Sequence, residues 1–189
     1  MRTSIWGNSL RDPLALALLV LFSPAIGGEK TTTDLTNYKL TTDGLGPLRV
    51  GMSYAEFAKL GLRHDKPDLM STDFCTYVSI NGIEGVGIYL TKDAGNEFRL
   101  STVDVQNPAI KTASGAHVGN ALAELKRTYA AKLSTQRIDW PDGDSGHPDK
   151  IWIVHSDSGR AMAFYPDHGN RNRIGMIYAG SNTIYIDCF

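Results

Sequence analysis

Val50-Gly51-Met52-Ser53-Tyr54-Ala55-Glu56-Phe57 returns 68 positions later as Val118-Gly119-Asn120-Ala121-Leu122-Ala123-Glu124-Leu125. A return of this kind bears on architecture before any other reading. Each copy follows a turn, Gly44 to Pro47 in the first and Pro108 to Gly115 in the second. The valine reads as an apolar staple ahead of a helix, and the glycine lets the backbone turn sharply. Ser53 and Glu56 stand at capping-box spacing, and Asn120 is the expected N-cap of the second helix. Tyr54, Phe57 and Leu60 or Gly61 share one face of the first helix. Leu122, Leu125, Tyr129 and Leu133 follow helical spacing in the second. Both stripes read as core.

Outward from the two helices the sequence predicts strands. After the first come Cys75 to Ile80, Val86 to Leu90 and Leu100 to Val105, separated by Asn81-Gly82 and by Lys92 to Asn96. After the second come Ile151 to His155, Ala161 to Tyr165, Ile174 to Tyr178 and Thr183 to Asp187, with Asp157-Ser158-Gly159 and His168-Gly169-Asn170 at the turns. The expected fold class is α+β: a tandem repeat, about 45–112 and 113–189, of a short helix followed by an antiparallel meander. Alternation in the second half predicts a sheet covered on one face by helices and wet on the other. Residues 28–44, rich in Thr, Asp and Gly, read as a flexible lead-in to a single domain over 45–189.

Residues 1–27 read as a signal peptide. Arg2 and Arg11 precede the apolar run Leu14 to Phe22, which is too short to span a bilayer as a helix. Pro24 breaks that run, and Ala25-Ile26-Gly27 offers small residues for cleavage. A periplasmic or secreted chain is expected. No cysteine lies near the cleavage point, so no lipid anchor is expected, and no later stretch is long enough to span a membrane. The whole chain has 19 basic and 20 acidic residues. Losing Arg2, Arg11 and Asp12 leaves 17 and 19, without the clustered basic face of a nucleic-acid binder.

Cys75 and Cys188 are the two cysteines. In an oxidising compartment such a pair reads as a disulfide, here closing a long loop and contributing about 4–5 kcal/mol in the chain-entropy model. Two free thiols or a catalytic cysteine are the alternatives. A catalytic cysteine at Cys188 would have no flanking motif.

No metalloprotease, nucleophile-elbow or phosphate-loop motif accompanies the five histidines. His155, Ser156 and Asp157 are neighbours on a strand end, where successive side chains alternate faces, so they do not form a local triad. The segment from Asp139 to Asp149 carries Trp140, Asp142, Asp144, His147 and Asp149. Asp142 and Asp144 have the i, i+2 spacing of hard-cation ligands, but the remaining ligands of a calcium loop are missing. The segment reads as a solvated acidic loop, or as a contact surface in which Trp140 anchors a partner. Trp152 reads equally as an anchor or as core. Arg171 and Arg173 in a second charged cluster could meet carboxylates, phosphates or a glycan, or form a solvated hairpin tip. No cofactor is expected.

The stretches Leu48 to Phe57 and Ala116 to Leu125 resemble the repeat unit of the β-lactamase-inhibitor-protein superfamily, which is similar to that of small outer-membrane assembly lipoproteins. Gly44 to Met52 (GLGPLRVGM), Ile110 to Gly115 and the terminal Cys188 also resemble a group of uncharacterised exported bacterial proteins. The resemblance implies a protein-binding role: an inhibitor or immunity protein against a secreted or cell-wall-acting enzyme or toxin. An envelope assembly or maintenance accessory is the alternative, and a small hydrolase using His147, His155 or His168 a weaker one. Fold alone does not choose among them.

Overall fold

Gly51 (φ 92°) and Gly119 (φ 91°) share a left-handed backbone that side-chain-bearing residues rarely adopt. Each turn is then docked by the same pair of backbone bonds. Gly51 N–H donates to Leu100 O (2.7 Å) and Leu100 N–H donates to Met52 O (2.9 Å). Gly119 N–H donates to Ile174 O (2.7 Å) and Ile174 N–H donates to Asn120 O (2.9 Å). An arginine closes each arrangement: Arg99 Nη1 donates to Gly51 O (3.1 Å) and Arg173 Nη1 donates to Gly119 O (2.6 Å).

The computed structural model describes residues 33–67, 74–138 and 150–181. All belong to one unit, Thr31–Phe189. A 3₁₀ turn at Leu35–Asn37 leads to β1 (Lys39–Thr41), β2 (Gly44–Leu45), β3 (Leu48–Arg49) and α1 (Tyr54–Lys59). Then come β4 (Cys75–Ser79), β5 (Val86–Lys92), β6 (Phe98–Val105), β7 (Lys111–Thr112) and α2 (Leu122–Tyr129). After a 3₁₀ turn follow β8 (Leu133–Arg137), β9 (Lys150–His155), β10 (Arg160–Pro166) and β11 (Ile174–Ser181). The fold is α+β with mostly antiparallel sheet. A small sheet runs β3-β2-β1-β7, and a seven-stranded sheet runs β4-β5-β6-β11-β10-β9-β8. Every pairing in the larger sheet is antiparallel.

The first helix starts as the sequence predicts. Ser53 Oγ accepts from Glu56 N–H (3.2 Å), and a Glu56 carboxylate oxygen accepts from Ser53 N–H (2.7 Å). The backbone bond at Ser53 lowers the Glu56 pKa, with help from the Ser53 hydroxyl. The second helix differs from expectation. Its N-cap is Ala121, without a side-chain cap. Asn120 Oδ1 instead accepts from His117 N–H (2.9 Å), and Asn120 Nδ2 donates to Glu124 (3.1 Å). Leu133 does not extend α2 either. The helix stops at Tyr129, Ala130 takes φ 37°, and Leu133 opens β8 with Val154 as its cross-strand neighbour. The β9 ladder satisfies the backbone of residues 133–137 there.

Phe57 of α1 and Leu122 and Leu125 of α2 share one buried cluster with Val78, Ile88, Leu100, Val103, Phe164 and Ile177 of the large sheet. Burial of Phe57, 1% exposed, contributes roughly 2–3 kcal/mol. Two expectations fail here. Residues 33–44 are not a structureless lead-in, because Leu35 and Leu40 are fully buried and β1 pairs with both β2 and β7. Nor is the other sheet face wet in the second half. Ile151, Ile153, Ala161, Ala163, Tyr165 and Tyr178 form a separate buried cluster there. The reason is visible in Ile151-Trp152-Ile153-Val154, which is apolar at odd and even positions alike. Trp152 faces the main core, with Lys126 Nζ 5.4 Å from its ring centroid. The predicted strand Thr183 to Asp187 and the predicted signal segment lie outside the described residues.

Candidate functional site

Asp104 sits in β6 between Val103 and Val105, both fully buried in the main core. Strand alternation therefore sends its carboxylate to the opposite sheet face. Across the ladder it faces Gly87 of β5 and Tyr178 of β11. Because Gly87 has no side chain, Tyr77 of β4 lies across it. A Cβ at Gly87 would stand 2.2 Å from Tyr77 Oη and 2.4 Å from its Cζ. Over that glycine Tyr77 Oη donates to Asp104 Oδ2 (3.1 Å), and Gln106 Nε2 donates to the same oxygen (3.2 Å). The other oxygen, Oδ1, is buried without a hydrogen-bond partner.

Tyrosines surround this carboxylate. Tyr77 and Tyr89 are cross-strand neighbours with ring centroids 4.9 Å apart. Tyr89 meets Tyr178 edge-on at 5.8 Å, and their hydroxyls are 3.5 Å apart. Tyr165 continues the row, 5.0 Å from Tyr178. Such tilted and edge-on pairs are the arrangements aromatic quadrupoles favour.

The electrostatics follow from burial. Asp104 is 3% exposed. Burial pushes its carboxyl up to about 6, against the opposing hydrogen bonds from Gln106 and Tyr77. Burial, then the Asp104 charge, raises Tyr77 and Tyr178; burial also raises Tyr89. The phenols therefore stay neutral near pH 7. The cluster is one carboxylate with a spare acceptor, fenced by neutral phenol rings.

Tyr77 is also one wall of an open groove. The groove holds about 460 Å³ and is lined by Tyr77, Ser79 and residues 80–86 of the β4–β5 hairpin. Glu84 is the charged residue among these lining residues. Tyr77, at 44% exposed, and Phe74, at 74%, are among the large apolar side chains left exposed on this edge of the sheet.

The residues singled out by sequence do not gather here. Trp140, Asp142, Asp144, His147, Asp149 and Cys188 lie outside the described residues. Cys75 opens β4 and is not a free thiol. Arg171 and Arg173 are exposed in the β10–β11 connection, where Arg173 is engaged with the Gly119 carbonyl. His155 is exposed at the end of β9. Its neighbour Ser156 uses its hydroxyl in the hairpin, donating to Arg160 O (3.0 Å) and lying 2.8 Å from Ser158 Oγ. Among the described residues no group of three His, Cys, Asp or Glu side chains is placed to hold a metal ion. No helix among them is long and apolar enough to cross a membrane.

Sequence reasoning missed Asp104 and its tyrosines. The usable signal was a carboxylate inside Leu100 to Val105, an otherwise core-forming run. No protein-family model and no curated protein matches the chain. Among solved structures, the uncharacterized protein yfeY from Escherichia coli is similar. It has a TM-score of 0.45 and 12% identity, over 75% of this chain and 99% of that one.

Proposed function

We propose that this chain is an exported protein-binding module, an inhibitor or immunity protein acting on a secreted or cell-wall-acting enzyme. The observation that carries the reading is the β4–β5 edge. It combines exposed Phe74, an open groove and half-exposed Tyr77, which lines the groove and also bonds a buried carboxylate whose hydrogen bonding the fold leaves incomplete. Tyrosine-rich, partly apolar surfaces with a few fixed polar groups are typical of protein recognition. The signal peptide of residues 1–27 and a Cys75–Cys188 disulfide belong to the same reading, since both suit an oxidising compartment.

The fold contributes a further argument. The matched docking of Gly51 on Leu100 and of Gly119 on Ile174, each with its arginine, supports reading the two halves as repeats of one helix-plus-meander unit. That is the organisation to which the β-lactamase-inhibitor-like resemblance points, and relatives of that kind bind proteins.

The test is site-specific cross-linking in the native host. A photoreactive benzoylphenylalanine replaces Tyr77 in one full-length variant and exposed Gln136, on the opposite sheet edge, in another. The expected result is a discrete adduct from position 77 alone, with an envelope or secreted enzyme whose activity the purified mature chain lowers. Equal adduct patterns from both positions, or a partner whose activity the chain leaves unchanged, would overturn the reading.

A further inference from the structure

We infer that the β4–β5 groove receives a cationic side chain of the partner, guanidinium or ammonium, with Asp104 as its counter-charge and Tyr77 as the movable wall between them. The inference rests on the protein-binding reading above and names the chemistry that the partner presents.

Three observations converge. The first is the spare acceptor. Asp104 is more than nine-tenths buried, and its Oδ1 has no donor. An unsatisfied buried acceptor is expensive, and more so when charged. The partners of Oδ2 are both neutral, Tyr77 and Gln106. No ion pair among the described residues includes Asp104. A donor that also carries positive charge would supply both missing elements. The second is the groove, whose lining includes Glu84 but no lysine or arginine. Its charge favours a cation entering and disfavours an anion. The third is the ring environment. Tyr77, Tyr89 and Tyr178 pack against one another beside the carboxylate, with the Tyr77 hydroxyl on Asp104, and aromatic rings attract ammonium and guanidinium groups.

Access follows from Gly87. Tyr77 lies over bare backbone there and is 44% exposed, so turning it away from Asp104 gives up its contact with Tyr89 and its hydrogen bond to Oδ2 but needs no other side chain at Gly87 to move. The groove and Asp104 then become one site. A planar guanidinium has the further advantage of donating two parallel hydrogen bonds to a carboxylate.

The experiment is an NMR titration of the isotope-labelled mature chain at pH 7.5 and fixed ionic strength. The probes are N-acetyl-arginine amide, N-acetyl-lysine amide and the neutral isostere N-acetyl-citrulline amide. The expected result is saturable shifts at the amides of Tyr77, Gly87 and Asp104 with a cationic probe, and binding of the citrulline compound at least about tenfold weaker. Asp104→Asn should weaken the cationic probe by a similar factor while leaving distant resonances unmoved. Equal affinity for the citrulline compound, or unchanged affinity in Asp104→Asn, would overturn the inference. If Asp104→Asn does not fold, the comparison of probes on the unmodified chain decides alone. A cross-linked partner without probe binding sinks this inference and leaves the protein-binding reading intact. Probe binding with no enzyme captured at position 77 does the reverse.

Discussion

Replacing Asp104 by Asn should remove a pH-dependent part of this protein's stability, with a size set by the buried carboxyl. The group titrates at about 6 in the fold, against an ordinary value of 3.8. The folded state thus holds the proton to higher pH than the unfolded chain. The associated stability is fully present below about 3.8 and is lost as pH rises through about 6. At about 1.36 kcal/mol for each tenfold change in proton affinity, the full span is about 3 kcal/mol. Between pH 4 and pH 8 roughly 2–3 kcal/mol of it is traversed. Asn cannot titrate. Its amide N–H₂ would occupy the place of Oδ1 without an acceptor, a cost of about 1–3 kcal/mol at every pH. That constant offset drops out when the two proteins are compared across pH. So does the opposite trend from Asp34, Glu56 and Asp93, whose lowered pKa values favour the fold at higher pH in both proteins. The assay is urea unfolding of both proteins at half-unit steps from pH 4 to 8, analysed with a common slope. Relative to the native chain, Asp104→Asn should gain about 2–3 kcal/mol on going from pH 4 to pH 8. A difference constant within about 0.5 kcal/mol across that range would refute the buried, uncompensated carboxylate on which the candidate site is built.

Other perturbations follow from the same geometry. Gly87→Ala places a Cβ 2.2 Å from Tyr77 Oη, so the tyrosine must leave Asp104; a loss of about 2 kcal/mol in urea unfolding is expected. Unchanged stability with an unmoved Tyr77 ring in NMR would contradict the placement. Ser53→Ala should cost about 1 kcal/mol by opening the α1 capping box, whereas Ala121→Ser should stabilise by a similar amount by supplying the cap that α2 lacks; thermal melts of the two variants should shift in opposite directions. If Cys75 pairs with Cys188, peptide mass mapping without reductant should recover the linked peptides, and Cys75→Ser should lower stability by about 4 kcal/mol. Recovery of the two peptides unlinked would remove the disulfide from the proposed function.

How far the sequence could be read follows from which signals are local. Asn81-Gly82, Lys92 to Asn96 and Asp157-Ser158-Gly159 are turn signals whose chemistry is self-contained, and Gly82, Asn96 and Gly159 do take positive φ. The strands between them accordingly fall close to their expected ranges. The Ser53–Glu56 box is local in the same way. Its counterpart was misread because Asn120 offers a good capping side chain one position too early, and the repeat itself aligns Ala121 with Ser53. The burial of Leu35 and Leu40 was not legible, because it depends on β1 pairing in parallel with Lys111–Thr112, more than seventy residues away. The candidate site is non-local throughout. Tyr77, Asp104 and Tyr178 come from three strands, and register alone aligns Gly87 between them. One thread was nevertheless available. Val103-Asp104-Val105 puts a carboxylate within a core strand, and Gly87 interrupts the apolar stretch Val86 to Leu90 of the neighbouring strand. Either anomaly alone reads as sheet irregularity. Paired across β5 and β6, they are complementary: the missing side chain makes room for the phenol that half-satisfies the buried charge. The complementarity is only partial, since Oδ1 keeps no donor, so a strand needing only stability would do better with an apolar residue at position 104.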